Sequence, residues 1–252
     1  MFDLKERVAI ITGSGSKKGI GRTIALTLAE QGAAVVIADI NFDGVQDTVN
    51  EIKEAGGKAL GIELNVTSKD SCDAMVRKTL EEFGRIDILI NNAGISQKVT
   101  VQDMTLEDIT KVFNVNMFGL FLCTQAVLET MKDQKYGRII SLSSVSAKRG
   151  GGVFGGPHYS ASKAAVLGFS KNLAREVALD GITVNCVAPG LVNTEIWKYL
   201  PEEDAKSVIN SIPMGRPGEV KEIAATIAFL ASKEASYITG EEIDINGGSH
   251  MD

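Results

Sequence analysis

The 252-residue sequence is poor in the residues that build metal sites and disulfides. It has two histidines, His158 and His250, and three cysteines, Cys72, Cys123 and Cys186, which form no CxxC pair. Histidines and cysteines this scattered argue against a metal site. The cysteines are instead expected to be buried, reduced thiols, as is usual in the cytoplasm, where disulfides are rare.

Positive charge and long apolar runs are also scarce. The chain has 26 basic against 32 acidic residues, a net charge of −6 and an isoelectric point of about 5.1. Nucleic-acid binding relies on a positive surface, so this balance argues against it. No uninterrupted apolar run approaches the ~20 residues that span a bilayer, and the N-terminal MFDLKERVAI lacks the apolar segment of a signal peptide. We expect a cytoplasmic protein that binds neither nucleic acid nor membrane.

The sequence does contain a regular alternation of short runs rich in Val and Ile with amphipathic stretches. The predicted strands are 8–12, 34–39, 60–66, 86–92, 137–144, 182–190 and 241–247. The predicted helices are 20–31, 43–56, 68–83, 105–133, 158–179 and 219–231. The strands are apolar on both faces, as strands covered by helices on both sides are. This alternation predicts an α/β fold with a doubly wound, parallel, seven-stranded, Rossmann-like sheet in a single domain, residues 1–252.

The segment 191–217 departs from the alternation. It is long, it carries Trp197, Tyr199 and Leu200, and it holds three of the five prolines. An insertion of this length in a compact fold is usually functional and often a lid. We therefore predict a flap here, placed either over substrate or at a subunit interface.

The glycine-rich stretch TGSGSKKGIG lies between a predicted strand and a predicted helix. At such a junction, backbone N–H groups and the helix dipole can hold a pyrophosphate, which glycines allow to approach closely. The spacing G-x-x-x-G-x-G is intact from Gly15 through Gly19 and Gly21. Read from Gly13, the pattern G-x-G-x-x-G meets Lys18 in place of its third glycine. The register stays ambiguous, and a loop enlarged by two residues is its simplest explanation.

Asp39 ends the second predicted strand and bears on the choice of dinucleotide. A carboxylate there can accept hydrogen bonds from the adenosine ribose and repels a 2′-phosphate, which favours NAD. Lys17 and Lys18 favour NADP, because an ammonium beside that ribose attracts the phosphate. We give Asp39 more weight, since a flexible lysine turns away more easily. NAD is the predicted cofactor, with NADP as the alternative.

The stretch YSASK places Tyr159 and Lys163 four residues apart, on one face of a helix. A free phenol titrates near pH ~10, which is too high for a general base at neutral pH. A neighbouring ammonium lowers that pKa, so the phenol can exchange a proton with a hydroxyl or carbonyl oxygen. The other tyrosines lack a lysine four residues on.

These features occur together with further motifs in a fixed order: NNAG (91–94), NVNMFG (114–119), SLSSVS (141–146), VAPGLVNT (187–194) and DINGG (244–248). Along its whole length the chain thereby resembles the short-chain dehydrogenase/reductase family. Within it, the resemblance is to the single-domain branch of 3-ketoacyl-carrier-protein reductases and of sugar and polyol dehydrogenases. It implies hydride transfer that interconverts a secondary alcohol and a ketone. It also implies a homotetramer, built through helices 105–133 and 158–179 and the last strand.

The resemblance assigns roles to individual residues. Tyr159 would be the catalytic acid/base, Lys163 would bind the nicotinamide ribose, and Ser144 would hydrogen-bond the reacting oxygen. Asn116 would hold a water in the proton relay behind the lysine. With the glycine loop and Asp39 included, the predicted cofactor-binding residues are Gly13, Gly15, Lys18, Gly19, Ile20, Gly21, Asp39, Asn65, Val66, Asn92, Gly94, Tyr159, Lys163, Val192 and Thr194.

The function predicted from these residues is an NAD(H)-dependent oxidoreductase for a sugar, a polyol or a similar small substrate. One alternative is an NADPH-dependent 3-ketoacyl-carrier-protein reductase, which Asp39 and the acidic chain disfavour because the carrier is itself acidic. Another is a non-catalytic dinucleotide-sensing protein, which the four retained catalytic positions disfavour.

Three charged or titratable residues near the catalytic motif need separate interpretation. Lys148 and Arg149 lie in a loop that is two residues longer than the resemblance implies. They could meet an anionic substrate, but solvated surface charge is the simpler interpretation. His158 points about 100° away from Tyr159 around the helix and is expected to be a packing or rim residue.

Overall fold

The computed structural model describes residues 2–194 and 202–251. Within them, the strands are β1 (Val8–Thr12), β2 (Ala34–Asp39), β3 (Ala59–Glu63), β4 (Ile88–Asn91), β5 (Gly137–Leu142), β6 (Ile182–Pro189) and β7 (Glu242–Ile245). All their pairings are parallel, in the order β3-β2-β1-β4-β5-β6-β7. This is the predicted seven-stranded doubly wound sheet. The chain changes direction between β1 and β4, and ligands of such sheets bind at that switch, outside the carboxyl ends of the strands.

Helices cover both faces of this sheet. They are α1 (Ile20–Glu30), α2 (Phe42–Glu54), α3 (Lys69–Phe83), α4 (Leu106–Phe113), α5 (Leu120–Gln134), α6 (Val145–Arg149), α7 (Pro157–Val177), α8 (Glu202–Asn210) and α9 (Val220–Ala231). One apolar core joins α1, α2 and α9 to the sheet, and a second joins α3, α5 and α7 to its other face. Because both faces are covered, strands such as β1 and β6 are buried throughout.

Several helix ends follow directly from the sequence. Thr105 caps α4 in a reciprocal capping box with Asp108, and the Ser68 side chain caps α3. Gly84 ends α3 in the left-handed conformation, at φ 73°, which glycine adopts without steric cost. The short helices α6 and α8 were not predicted, because five or nine residues give little periodicity to read.

The predicted helix 105–133 is interrupted. A π-helical turn, Asn114–Gly119, separates α4 from α5. Such turns contain an extra residue and are frequent at functional sites. Gly119 is required for packing here, because a Cβ on it would lie 2.7 Å from Val66 Cγ2.

The helical stretch Leu106–Gln134 is long and apolar enough, by length and composition alone, to cross a membrane, with a mean hydropathy of 1.3 in its most apolar window. Five residues of its C-terminal part, α5, are buried: Leu120, Cys123, Thr124, Val127 and Met131. A helix that packs on the core of a globular domain passes the same test of composition. The finding is therefore weak evidence for a membrane span.

The three cysteines are free and buried, which confirms that expectation. The spacing of the cysteines in the sequence did not predict that two of them would be close: Cys72 Sγ on α3 lies 3.6 Å from Cys123 Sγ on α5. Of the predicted flap, Trp197, Tyr199 and Leu200 lie outside the described residues. Its described part includes α8 and a β-bridge between Val192 and Gly218.

Candidate active site

Two adjoining cavities lie at the carboxyl ends of the strands. We call the first, of about 630 Å³, the glycine-loop cavity; Gly13, Gly19, Asp39 and Asn65 are among its lining residues. The second, of about 490 Å³, is lined by Tyr159 and its neighbours, and we call it the tyrosine cavity. Both are lined by Ile20, Asn92, Gly94, Ile95 and Thr194, so they form one continuous cleft.

The glycine loop is closely packed, which explains its composition. Gly13 has φ +66°, and a Cβ on it would lie 2.6 Å from Ala93 Cα. A Cβ on Gly21 would lie 2.5 Å from the Gly13 carbonyl oxygen. Asn92 braces the loop by donating from Nδ2 to the carbonyls of Thr12 (2.9 Å) and Gly13 (2.7 Å). These contacts hold the backbone at the edge of the glycine-loop cavity.

The N-terminus of α1 fits an anionic group. Gly19 is its N-cap, and within the described chain no side chain caps it and no acidic residue occupies its first turn. Its N–H groups and the positive end of its dipole therefore remain available to a pyrophosphate. Gly19 and Ile20 both line the glycine-loop cavity, so these residues fit the pyrophosphate of a dinucleotide.

Asp39 lies in the glycine-loop cavity with its carboxylate fixed. Its Oδ2 accepts from Gly15 N (2.8 Å) and its Oδ1 from Asn41 N (2.9 Å). Each oxygen retains a second lone pair for a ribose hydroxyl. Lys17 forms an ion pair with Asp47 at 2.8 Å, whereas Lys18 lines the cavity. Of the two lysines that bear on the choice between NAD and NADP, only Lys18 therefore lines the cavity, and Lys17 pairs with Asp47.

The other predicted cofactor residues divide between the two cavities. Asn65 and Val66 line the glycine-loop cavity, and Val192 lines the tyrosine cavity. Asn65 Oδ1 is engaged by Thr67, accepting from its N–H (3.0 Å) and its hydroxyl (2.8 Å). Gly15 and Gly21 pack behind the cavity and do not line it.

Tyr159 and Ser144 both line the tyrosine cavity, and Ser144 lowers the pKa of Tyr159. Ser144 also caps α6, accepting from Ser146 N at 3.1 Å. Ser143 has a different environment, because its hydroxyl donates to the Lys163 carbonyl at 3.2 Å. Ser144 is thus the serine that acts on Tyr159, whereas the Ser143 hydroxyl is engaged by the main chain.

The environment of the tyrosine affects its pKa. Burial raises the pKa of Tyr159 above its ordinary value of 10.0, and the hydrogen bond to Ser144 opposes this only in part. The Lys163 ammonium donates to the Leu142 carbonyl at 2.6 Å. That the lysine lowers the pKa of the tyrosine stays a prediction.

Lys163 is buried, and burial lowers its own pKa from 10.5 to about 8. Its ammonium lies beside Gly94, where an added Cβ would be 3.4 Å from Lys163 Nζ and 3.3 Å from Asn116 Oδ1. A side chain at position 94 would crowd both polar atoms.

Asn116 lies on the π-helical turn and lines neither cavity. Its Oδ1 accepts from Ile95 N (2.8 Å), while Nδ2 donates to Ile95 O (3.0 Å) and to Ser162 Oγ (3.0 Å). Ser162 in turn donates to the Tyr159 carbonyl at 2.7 Å. The sequence motifs singled out Asn116 but gave no sign of Ser162 or of the Leu142 carbonyl.

Lys148 was expected to be solvated and is instead largely buried. Its Nζ lies 2.8 Å from Asp244 Oδ2 and 3.3 Å from Glu242 Oε2, both on β7. Arg149 lines the tyrosine cavity. His158 is a buried residue near Gln97, 3.4 Å from its Oε1, which agrees with a packing role.

The protein combines a parallel sheet of this order with a cleft at the switch point that fits a dinucleotide. A tyrosine with serine and lysine neighbours lies in the same cleft. These features are typical of the class of nicotinamide-dependent oxidoreductases. A family model described as enoyl-(acyl carrier protein) reductase matches residues 13–250. The chain belongs to the short-chain dehydrogenase/reductase family and is an NAD(P)-dependent enzyme acting on CH–OH groups.

Individual relatives match over nearly the whole chain. Subunit BbsD of a (2S)-[(R)-hydroxy(phenyl)methyl]succinyl-CoA dehydrogenase from Thauera aromatica is 44% identical over 248 residues, covering 98% of each chain. The 3-oxoacyl-[acyl-carrier-protein] reductase FabG of Escherichia coli (strain K12) is 42% identical over 250 residues, covering 99% of this chain and 100% of that one. The crystal structure of gox2181 superposes with a TM-score of 0.94 at 35% identity, covering 98% of this chain and 96% of that one.

Proposed function

We propose that the protein is an NAD(H)-dependent dehydrogenase that oxidises a secondary alcohol to a ketone, and reduces it in reverse, with Tyr159 as the acid/base. The observation that carries this is the placement of Tyr159, Ser144 and Lys163 around one cavity, which is continuous with the glycine-loop cavity. The catalytic group is Asn116, Ser144, Tyr159 and Lys163. Residues 1–252 form the single catalytic domain, with 191–217 as its flap.

Each residue has a defined task in this proposal. Ser144 hydrogen-bonds the substrate oxygen and Tyr159 accepts its proton, while the hydride leaves the same carbon, so that the alcohol becomes a ketone. The bound dinucleotide supplies the hydride acceptor. Asn116 and Lys163 both lie beside Gly94, past which the proton leaves the site. Lys163 also binds the nicotinamide ribose.

The choice of NAD is supported by the fixed carboxylate of Asp39 and is tested by its replacement. We expect kcat/KM with NAD to exceed that with NADP at least ~10-fold in the wild type, because the carboxylate repels a 2′-phosphate. Asp39→Asn should reduce this ratio by about tenfold, since the amide keeps an acceptor for a backbone N–H but loses the charge. Initial rates with the two dinucleotides measure the ratio.

The matched control for this test is Asp43→Asn, which removes an exposed charge on α2 outside the cavity. It should leave the ratio unchanged. A wild type that prefers NADP would contradict the proposed cofactor and would revive the alternative of an NADPH-dependent reductase.

The lining of the tyrosine cavity bears on the substrate. Four apolar side chains lie in the part away from the shared residues: Val153, Phe154, Leu191 and Val208. Two of its hydroxyls are engaged by main-chain carbonyls, Ser96 with Phe154 (2.5 Å) and Ser211 with Val208 (2.7 Å). This lining supports a hydroxyacyl substrate better than the sugar or polyol expected from the resemblance. The substrates named for the acyl-carrier and CoA-ester relatives support the same choice.

We also propose a cytoplasmic homotetramer. Free, buried cysteines support the compartment. The assembly is supported by exposed apolar side chains on and between α4 and α5: Leu106, Ile109, Phe118 and Phe121. Light scattering on the purified protein should give four times the chain mass. A single-chain mass at micromolar concentration would refute the tetramer.

A further inference from the structure

The charge inside the tyrosine cavity is opposite to that of the whole chain. The chain has a net charge of −6. Among the described residues that line this cavity there is no aspartate or glutamate, and there are two cations, Lys163 and Arg149. We propose that Arg149 is a substrate-binding residue that holds an oxyanion, either a carboxylate of the substrate or a phosphate of its thioester carrier. The inference rests on the proposed function, since it takes the tyrosine cavity to be the substrate site.

The adjacent residue shows why Arg149 is available for this. Lys148 Nζ is shared between Asp244 and Glu242, and its side chain is only 13% exposed, so its charge is neutralised within the fold. Arg149 is exposed and donates from Nη1 to the Ser249 carbonyl at 3.2 Å. Within the described chain it meets no carboxylate. A carbonyl oxygen orients a guanidinium but leaves its positive charge uncompensated.

Helix α6 determines where the oxyanion would lie. It is capped by Ser144, the partner of Tyr159, and it ends at Arg149. Five residues of helical rise separate the two backbones by about 7 Å. The ion pairs of Lys148 anchor this helix to β7 between those two ends. An anionic group several bonds away from the reacting carbon therefore fits.

The chain beyond α6 returns to the same cavity. Gly150, Gly151 and Gly152 all have positive φ, at 70°, 68° and 129°, which glycine adopts readily. They lead to Val153 and Phe154, which line the cavity. The loop between Ser144 and Tyr159, which is two residues longer than the resemblance implies, thus places apolar side chains and the Arg149 guanidinium around the tyrosine cavity. This matches a substrate with an apolar body and an anionic end.

The test compares binding of matched probes, by calorimetry, to the protein saturated with NAD, which cannot reduce a ketone. The first pair is a series of keto acids, with the ketone two to five carbons from the carboxylate, and their methyl esters. The second pair is acetoacetyl-CoA and the acetoacetyl thioester of N-acetylcysteamine, which lacks phosphate. A guanidinium–oxyanion pair should give at least ~10-fold tighter binding of the anionic member of one pair.

Arg149→Met should bring that ratio to about one, and Arg149→Lys should restore part of it, because lysine keeps the charge but not the planar fork. Lys98→Met, which removes an exposed cation outside both cavities, should leave it unchanged. The keto-acid pair identifies a carboxylate and the thioester pair a phosphate. Equal binding within both pairs, or a ratio that Arg149→Met does not change, would overturn the proposal.

Binding and turnover separate this inference from the proposed reaction. Selective binding that depends on Arg149, without NAD-linked turnover, would support the oxyanion site and count against the dehydrogenase. Turnover without any preference for an anion would count against Arg149 alone. Thermal unfolding of Arg149→Met should match that of the wild type, because the side chain is exposed.

Discussion

Replacing Tyr159 with phenylalanine should reduce turnover by about 10³-fold or more and change dinucleotide affinity by no more than about twofold. The phenol oxygen of Tyr159 is the proton acceptor in the proposed reaction, and Ser144 lines the same cavity. Phenylalanine fills the same space and leaves the glycine-loop cavity intact. Steady-state rates and NADH titration measure the two effects.

Tyr237→Phe is the control for this experiment, because that side chain is fully exposed and should be inert. Retained turnover in Tyr159→Phe would refute the acid/base assignment. A wild type that binds the dinucleotide and turns over no alcohol or ketone on a broad panel would instead favour a dinucleotide-sensing protein.

Replacing Lys163 with methionine should have two opposite effects. Turnover should fall by about 10²-fold or more, because the residue proposed to bind the nicotinamide ribose and to border the proton path is lost. Stability at pH 7 should rise by about 1–2 kcal/mol, because a buried ammonium is costly to desolvate. Loss of its hydrogen bond to the Leu142 carbonyl offsets part of that gain.

The gain depends on pH in a defined direction. The folded pKa of Lys163 is about 8, below its ordinary value of 10.5, so the folded protein binds this proton less well than the unfolded chain. The lysine destabilises the fold fully below about pH 8, and the penalty shrinks as the pH rises towards 10.5. The advantage of Lys163→Met should therefore be greatest near neutrality and decrease between those values.

Denaturant unfolding of both proteins across this pH range measures the difference in free energy of unfolding. Lys171→Met, an exposed lysine on the same helix, should change neither turnover nor stability appreciably. If Lys163→Met were less stable than the wild type at pH 7, the burial penalty would be smaller than the lost hydrogen bond, and the argument would fail.

Local patterns in the sequence were sufficient for the strands and most of the helices. Runs such as VAIIT and AVVIAD are apolar at consecutive positions, and the structure buries nearly all of them because helices cover both faces of the sheet. The glycines at 15, 19 and 21 and the pair Tyr159 and Lys163 were identified from spacing. Spacing is a local quantity, so a single sequence contains it in full.

Contacts between distant segments could not be derived in this way. Lys148 and Asp244 are 96 residues apart, and their ion pair turned an expected surface charge into a buried one. Cys72 and Cys123 meet although 51 residues separate them. In each case, the partner is set by which strands and helices become neighbours.

Composition, periodicity and the order of the motifs were enough to establish the order of the elements, the family and the types of residue available at the site. How those residues are paired and charged depends on the three-dimensional fold. Folding brought the Lys163 ammonium to the Leu142 carbonyl and raised the pKa of Tyr159. It placed Arg149 in the same cavity as Tyr159, where no carboxylate of the described residues pairs with it. The reason is physical: pKa values and ion pairs depend on burial and on atoms within a few ångströms, and folding brings those atoms from remote parts of the chain.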